Sequence, residues 1–216
     1  AVSHVQSDVE KLQKNANRIR VLFLAANSID TDRLRLDEEA RSIEEMIRKS
    51  DYRDSIEFIS RWAARPMDLI QSINEVAPTI VHFSGHGTDS GELVFQADDG
   101  QSKLVSSAAV AAAISTMTDS VKLVFFNACF SEKQAVDVVK YIPAAIGMRI
   151  SIGDDAARIF ASQFYSAIGF GRSLADAFKQ AKAALMLESV GEAQTPSLLL
   201  KEGVDPRSVN YIGGNN

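Results

Sequence analysis

The chain has 216 residues, 46% hydrophobic and 24% charged, with a formal net charge of -5 and a pI near 5.3. That is enough apolar material for one substantial core, and the lack of a basic stripe argues against a direct nucleic-acid partner. No apolar run approaches the ~20 residues that cross a bilayer, residues 1–20 do not read as a signal peptide, and a single cysteine excludes an internal disulfide and fits a reducing cytoplasm.

Residues 1–17 place Val5, Val9 and Leu12 at roughly helical spacing and read as a polar helix or linker. A β/α alternation then begins. Residues 19–25 predict a strand and 32–49 a helix, with Leu34, Leu36, Ala40, Ile43 and Ile47 on one face. Residues 55–60 predict a strand, and Pro66 opens a helix to about residue 75, since proline is tolerated in a first turn. A third strand covers 79–83. Residues 91–95 and 102–105 flank Asp98-Asp99-Gly100 and predict a small hairpin. The alanine-rich stretch 107–117 is helical, and 121–126 is the fourth main strand. Ser131-Glu132-Lys133-Gln134 has the form of a capping box and starts a helix to about residue 140. Residues 144–148 form the fifth strand, 155–168 and 173–187 two longer helices, and 197–200 a sixth strand. Such alternation implies a mainly parallel sheet with helices on both faces. In these sheets, ligands and catalytic groups gather beyond the carboxyl ends of the strands.

Two short segments sit at that end. Ser84-Gly85-His86-Gly87 follows the third strand, and Asn127-Ala128-Cys129-Phe130-Ser131 follows the fourth. Strands lying side by side would bring one imidazole and one thiol to the same edge, the minimum for a cysteine nucleophile with its base. Taken alone, a lone cysteine reads as a small buried hydrophobe. Its place between a strand and a helix start argues for the nucleophile, because unpaired N–H groups and the dipole there favour a thiolate. The Cys129 amide is the natural oxyanion donor, with the Gly87 amide as the second. The glycines around His86 permit a sharp turn and leave bare backbone for a substrate carbonyl. His82, inside an apolar strand, reads as a satisfied buried histidine, and His4 as tail. Asn127 either orients the base or closes its strand and satisfies backbone groups. One cysteine and two histidines lack the spacing of a zinc site, and no lysine completes a phosphate loop. A receiver-like or nucleotide-binding α/β domain lacks its acidic cluster and its glycine fingerprint here.

In this order the two motifs resemble the caspase-like cysteine peptidases, with His86 roughly 40 residues ahead of Cys129 against about 50 in caspases. Asn-Ala-Cys-Phe-Ser is not the caspase Gln-Ala-Cys-Arg-Gly form. The closer resemblance is to the bacterial CHAT domain, a branch of clan CD related to separases. It is carried by Arg20-Val21-Leu22-Phe23-Leu24-Ala25-Ala26-Asn27, Leu36-Asp37-Glu38-Glu39, Ile80 to Gly87, Asn127-Ala128-Cys129, Ile146-Gly147-Met148 and Asp154-Asp155-Ala156-Ala157. Phe160-Ala161, Phe164-Tyr165 and Pro196-Ser197-Leu198-Leu199 extend it.

The resemblance implies a caspase–hemoglobinase-like α/β fold, a three-layer sandwich around a mostly parallel sheet of about six strands. It places the peptidase domain at 18–201, with 202–216 as a C-terminal tail. It implies a cysteine endopeptidase in which Cys129 attacks, His86 manages protons, and the Gly87 and Cys129 amides hold the oxyanion, with no metal or organic cofactor. It further implies cleavage after a basic residue, Asp154 and Asp155 supplying an acidic pocket. Either aspartate could instead cap the helix beginning near Ala156. Asp89 and Glu92 are secondary pocket candidates, and Arg149, if turned inward, would neutralise an aspartate. By family the partners are a protein or peptide substrate and a fused sensor domain or activator, in a regulated cytoplasmic effector of bacterial defence. Long loops beside His86, at 88–91 and 95–103, could order on activation. The alternative is a catalytically silent scaffold or signal-binding module of the same fold.

Overall fold

The computed structural model describes residues 18–188 and 190–212; the polar segment expected at 1–17 lies outside them. Six strands form the central sheet in the order β2-β1-β3-β6-β7-β8: β1 (Ile19–Ala25), β2 (Ile56–Arg61), β3 (Ile80–Ser84), β6 (Leu123–Asn127), β7 (Ala144–Met148) and β8 (Pro196–Leu200). All neighbours run parallel except β8, which is antiparallel to β7. The predicted insertion is a separate antiparallel hairpin, β4 (Glu92–Gln96) with β5 (Ser102–Ser106). Six α-helices lie among the described residues, α1 (Leu36–Arg48), α2 (Pro66–Val76), α3 (Ser107–Ser115), α4 (Glu132–Val138), α5 (Asp154–Gly169) and α6 (Leu174–Leu187), with a short 3-10 turn at Arg53–Ser55. No described helix is long and apolar enough to cross a membrane.

The near-continuous apolar strands are what a sheet covered on both faces requires. Alternate residues separate onto its two sides. Val21, Phe23, Phe125 and Ile146 pack with Ile43 of α1, Phe160 and Phe164 of α5 and Leu185 of α6. Leu22, Leu24, Phe83, Val124 and Phe126 pack with Ile73 of α2, Ile114 of α3, Val138 of α4 and Phe95 of the hairpin. The result is the expected three-layer sandwich.

Three local expectations differ from the structure, each for a visible reason. Helix α1 begins at Leu36, not at residue 32. The Asn27 side chain donates to the Leu34 carbonyl (3.0 Å) and accepts from the Leu34 amide (3.3 Å), so that peptide cannot join a helical turn. The capping box at Ser131 does not form. Its hydroxyl donates to the Phe126 carbonyl and accepts from the Met148 amide, both at 3.0 Å, stitching β6 to β7. The segment expected as a tail is packed as far as it is described. The first-turn amides of α6, Leu174 and Ala175, donate to the carbonyls of Val209 (2.8 Å) and Pro206 (3.0 Å), and Ile212 is buried. Helix starts carry orphan donors, and this segment satisfies two of them.

Candidate active site

Strands β3 and β6 are neighbours, with Ser84 directly opposite Asn127. Two residues beyond each, the chain leaves the sheet at its carboxyl edge, and there His86 and Cys129 line one small cavity of about 40 Å³. Leu34, Ile152 and Asp154 help to close it. The juxtaposition expected from sequence is therefore present, and it follows from strand order: a parallel β3–β6 pair must release both segments on one side.

His86 is half-buried and its Nε2 lies 2.6 Å from the Asp32 carbonyl. A carbonyl only accepts, so Nε2 carries a proton, and in the neutral form of the ring the lone pair is on Nδ1. The Asp32 carbonyl is free for this contact because the Asn27 side chain holds the 27–34 loop out of the helix that follows it.

Cys129 sits in the turn between β6 and α4, with Phe130 and Ser131 between it and the helix. Its Sγ lies 3.3 Å from Ser151 Oγ and 3.8 Å from the Ile152 carbonyl, both on the β7–α5 loop. Phe130 adopts a left-handed conformation (φ 55°), a strained geometry for a residue with a Cβ, and it redirects the chain immediately after the thiol.

The glycines serve close approach rather than a turn. Neither Gly85 nor Gly87 has positive φ. A Cβ on Gly87 would lie 2.0 Å from the Cys129 carbonyl oxygen, and one on Gly85 would lie 2.8 Å from the Ala26 carbonyl oxygen. Gly87 is thus packed directly against the peptide of Cys129. Its position opposite Leu93 is a pair whose flanking residues bond: Thr88 donates to Glu92 and Val94 to His86. Among the described residues, the Gly87 and Cys129 amides have no hydrogen-bond acceptor.

Asp154 and Asp155 stand in the first turn of α5, and the cap of that helix is Gly153, so neither aspartate caps it. Both engage Arg35, at the entry to α1. Asp154 Oδ2 accepts from the Arg35 amide (3.2 Å) and from its Nε (3.0 Å), and Asp155 Oδ1 accepts from an Arg35 terminal nitrogen at 2.7 Å. Hydrogen bonds from Arg158 first and Arg35 second hold the Asp155 carboxyl below its usual range. Arg149 turns the other way, to Ser197 (3.1 Å) and Glu132 (3.4 Å). Of the secondary candidates, Asp89 is exposed and Glu92 accepts from Ser90; neither lines the cavity.

A polar cluster forms part of the cavity wall, to which Glu39, Ser84 and Asn127 contribute. Glu39, 3% exposed, accepts from Ser84 Oγ, from Asn127 Nδ2 (2.7 Å) and from His82 Nε2 (2.9 Å). His82 Nδ1 lies 3.0 Å from the Tyr165 hydroxyl. Burial, and then the Glu39 charge, raise the Tyr165 phenol well above its ordinary range, so it stays a donor. One arrangement pairs every member of the set: Tyr165 O–H donates to Nδ1, and Nε2–H donates to Glu39. His82 is the satisfied buried histidine expected. Asn127 also donates to the Ala157 carbonyl (3.2 Å), while its Oδ1 is buried without a partner.

Sequence reasoning missed Glu39, Arg35, Ser151 and the Asp32 carbonyl. For Glu39 a signal existed: a glutamate among Leu36, Ala40, Ile43 and Ile47, on the apolar stripe of an amphipathic helix. The other three lie in loops whose path no periodicity reveals.

A mostly parallel six-stranded sheet between helical layers, with histidine and cysteine beyond adjacent strands, defines a caspase-like, clan CD fold. The chain belongs to the CHAT domain family, whose model matches residues 4–198. Among solved structures it resembles the secreted C11 cysteine protease of Bacteroides thetaiotaomicron (TM-score 0.58, 9% identity, 84% of this chain and 66% of that one). It also resembles a chain of the Saccharomyces cerevisiae separase–securin complex (0.51, 13%, 86% and 12%) and caspase-1 of Spodoptera frugiperda (0.57, 9%, 88% and 92%). At such identities the likeness establishes the fold alone. The chain spans less than two thirds of the first two. No curated protein sequence matches it.

Proposed function

We propose that this chain is a cysteine endopeptidase acting through Cys129 and His86, with a preference for cleavage after a basic residue. The observation that carries the reading is the shared cavity of imidazole and thiol, with His86 Nε2 held by the Asp32 carbonyl. That contact leaves Nδ1 to take the Cys129 proton. The thiolate attacks the scissile carbonyl carbon, and the oxyanion falls to the unengaged Gly87 and Cys129 amides. The imidazolium returns its proton to the leaving amine as the C–N bond breaks. Water, deprotonated by His86, then hydrolyses the thioester and restores the thiol.

The fold supports the peptidase class, and the relatives support a peptide or protein ligand: the C11 protease is described with an irreversible peptide inhibitor and separase with securin. The basic preference is supported by Asp154, which lines the cavity; Asp155 does not line it, and both carboxylates are paired with Arg35, which a substrate arginine would have to displace. Regulation by a sensor domain or activator remains part of the proposal through the family.

The test is a reporter peptide panel with Arg, Lys, Asp, Leu or Ala before the cut, run with the protein and with Cys129→Ala. Cleavage after Arg and Lys, lost by about 10³-fold or more in Cys129→Ala, is expected. Cysteine-dependent cleavage after another residue would remove the Asp154/Asp155 pocket and keep the enzyme. Cleavage that survives Cys129→Ala would remove the dyad. A scaffold would cleave nothing, alone or within its full-length protein.

A further inference from the structure

Among the described residues Glu39 is the only buried acidic side chain. A carboxylate out of water is unfavourable unless its lone pairs are filled. No lysine or arginine fills them here. Three other side-chain donors do, and two of these stand at equivalent places. Ser84 lies two residues before His86, and Asn127 two residues before Cys129. One carboxylate therefore grips the ends of both strands that carry the dyad. Asn127 extends the grip through its second amide contact to the first turns of α5, which carry Asp154 and Asp155. The opposite side is braced by His82, itself fixed by Tyr165.

We propose that Glu39 is a positioning residue of the dyad, setting the separation and orientation of the His86 imidazole and the Cys129 thiol through Ser84 and Asn127. The proposal rests on the peptidase reading above. Only a carboxylate suits the place. Ser84, Asn127 and His82 all present hydrogens, and an ionised carboxylate meets them with acceptors on both oxygens. Glutamine has the same shape but one acceptor oxygen, and turns an N–H₂ toward a donor. Aspartate is a methylene too short to reach both strands. A shift of about 1 Å at reacting groups is enough for a 10²-fold loss of rate.

The test compares the protein with Glu39→Gln. Three quantities are measured: the rate of Cys129 alkylation by iodoacetamide at pH 7 against that of glutathione, kcat and KM on the best peptide of the panel, and the melting temperature. The expected result is a folded variant with alkylation slower by about 10-fold and kcat lower by about 10²-fold, while KM stays within about twofold. If Glu39→Gln does not fold, Ser84→Ala and Asn127→Ala each open one arm. Each then lowers kcat, and the double variant loses less than the product of the two, as expected of groups acting through one carboxylate.

A folded Glu39→Gln with unchanged alkylation and kcat overturns the proposal. So does a loss that merely tracks the folded fraction, or independent additive effects of the two arms. Those outcomes leave the peptidase reading intact. A wild-type Cys129 that alkylates no faster than glutathione, in a protein that cleaves nothing, removes the peptidase reading and the positioning role with it.

Discussion

Gly87 and Cys129 meet through their backbones, and this contact makes the site intolerant of a single methyl group. A Cβ placed 2.0 Å from a carbonyl oxygen cannot be accommodated by a rotamer change, because both partners are main chain. Gly87→Ala should push the His86 loop away from the Cys129 turn. We expect a loss of about 10²-fold in kcat/KM with far-ultraviolet circular dichroism unchanged. Gly191→Ala is the matched control: nothing lies within 4 Å of its Cβ position, and activity should be unaffected. Equal losses in both variants would show that the close approach has no bearing on the chemistry. Phe130, held at φ 55° beside the thiol, is a second place where local backbone preference yields to the site.

The entry to α1 and the first turn of α5 are joined by Arg35 with Asp154 and Asp155. The pairs are half exposed, so salt and solvent screen them and their contribution to stability is small. Its pH dependence has a definite sign. The Asp155 carboxyl is held below its usual range when folded, by Arg158 and then Arg35. Such a group stabilises the fold above its unfolded value, about 3.9, and that stabilisation is lost as pH falls through the depressed folded value. Wild-type protein should therefore melt slightly above Arg35→Ala at neutral pH. The gap should narrow below about pH 4 and close once Asp155 is protonated in both. A gap that widens in acid would mean that Arg35 acts through something other than these carboxylates.

The whole molecule depends on two apolar layers divided by the sheet, and Phe125 shows how the helical layer over one face is anchored. Fully buried, it stands 4.4 Å from the His82 ring centroid and 5.6 Å from the rings of both Phe160 and Phe164. Phe125→Ala leaves a cavity between β6 and α5 and should cost about 3–5 kcal/mol in urea unfolding, with the m-value unchanged. A loss below about 1 kcal/mol would mean that α5 collapses into the gap. Because Phe125 also packs against the His82 ring, the variant should disturb the Glu39 cluster and lower activity.

The order of strands and helices was legible in the chain itself. Apolar runs such as Ile19–Ala25 and Ala144–Met148 have a periodicity and length that local chemistry dictates, and turn residues bound them. His86 and Cys129 were legible for the same reason, since each closes a predicted strand. What tertiary structure alone decided is how these ends are held. Ser131 abandons a capping box to bridge two strands, Asn27 stops a helix four residues from its expected start, and Asp32 offers a backbone carbonyl to His86. Arg35 reaches a pair of aspartates more than a hundred positions away, and Glu39 sits with polar partners contributed by β3 and β6. Local propensity reports the conformation of a segment. It is silent on which distant donor a side chain meets when packing excludes water, and a buried carboxylate is stable only once those donors have been assembled around it.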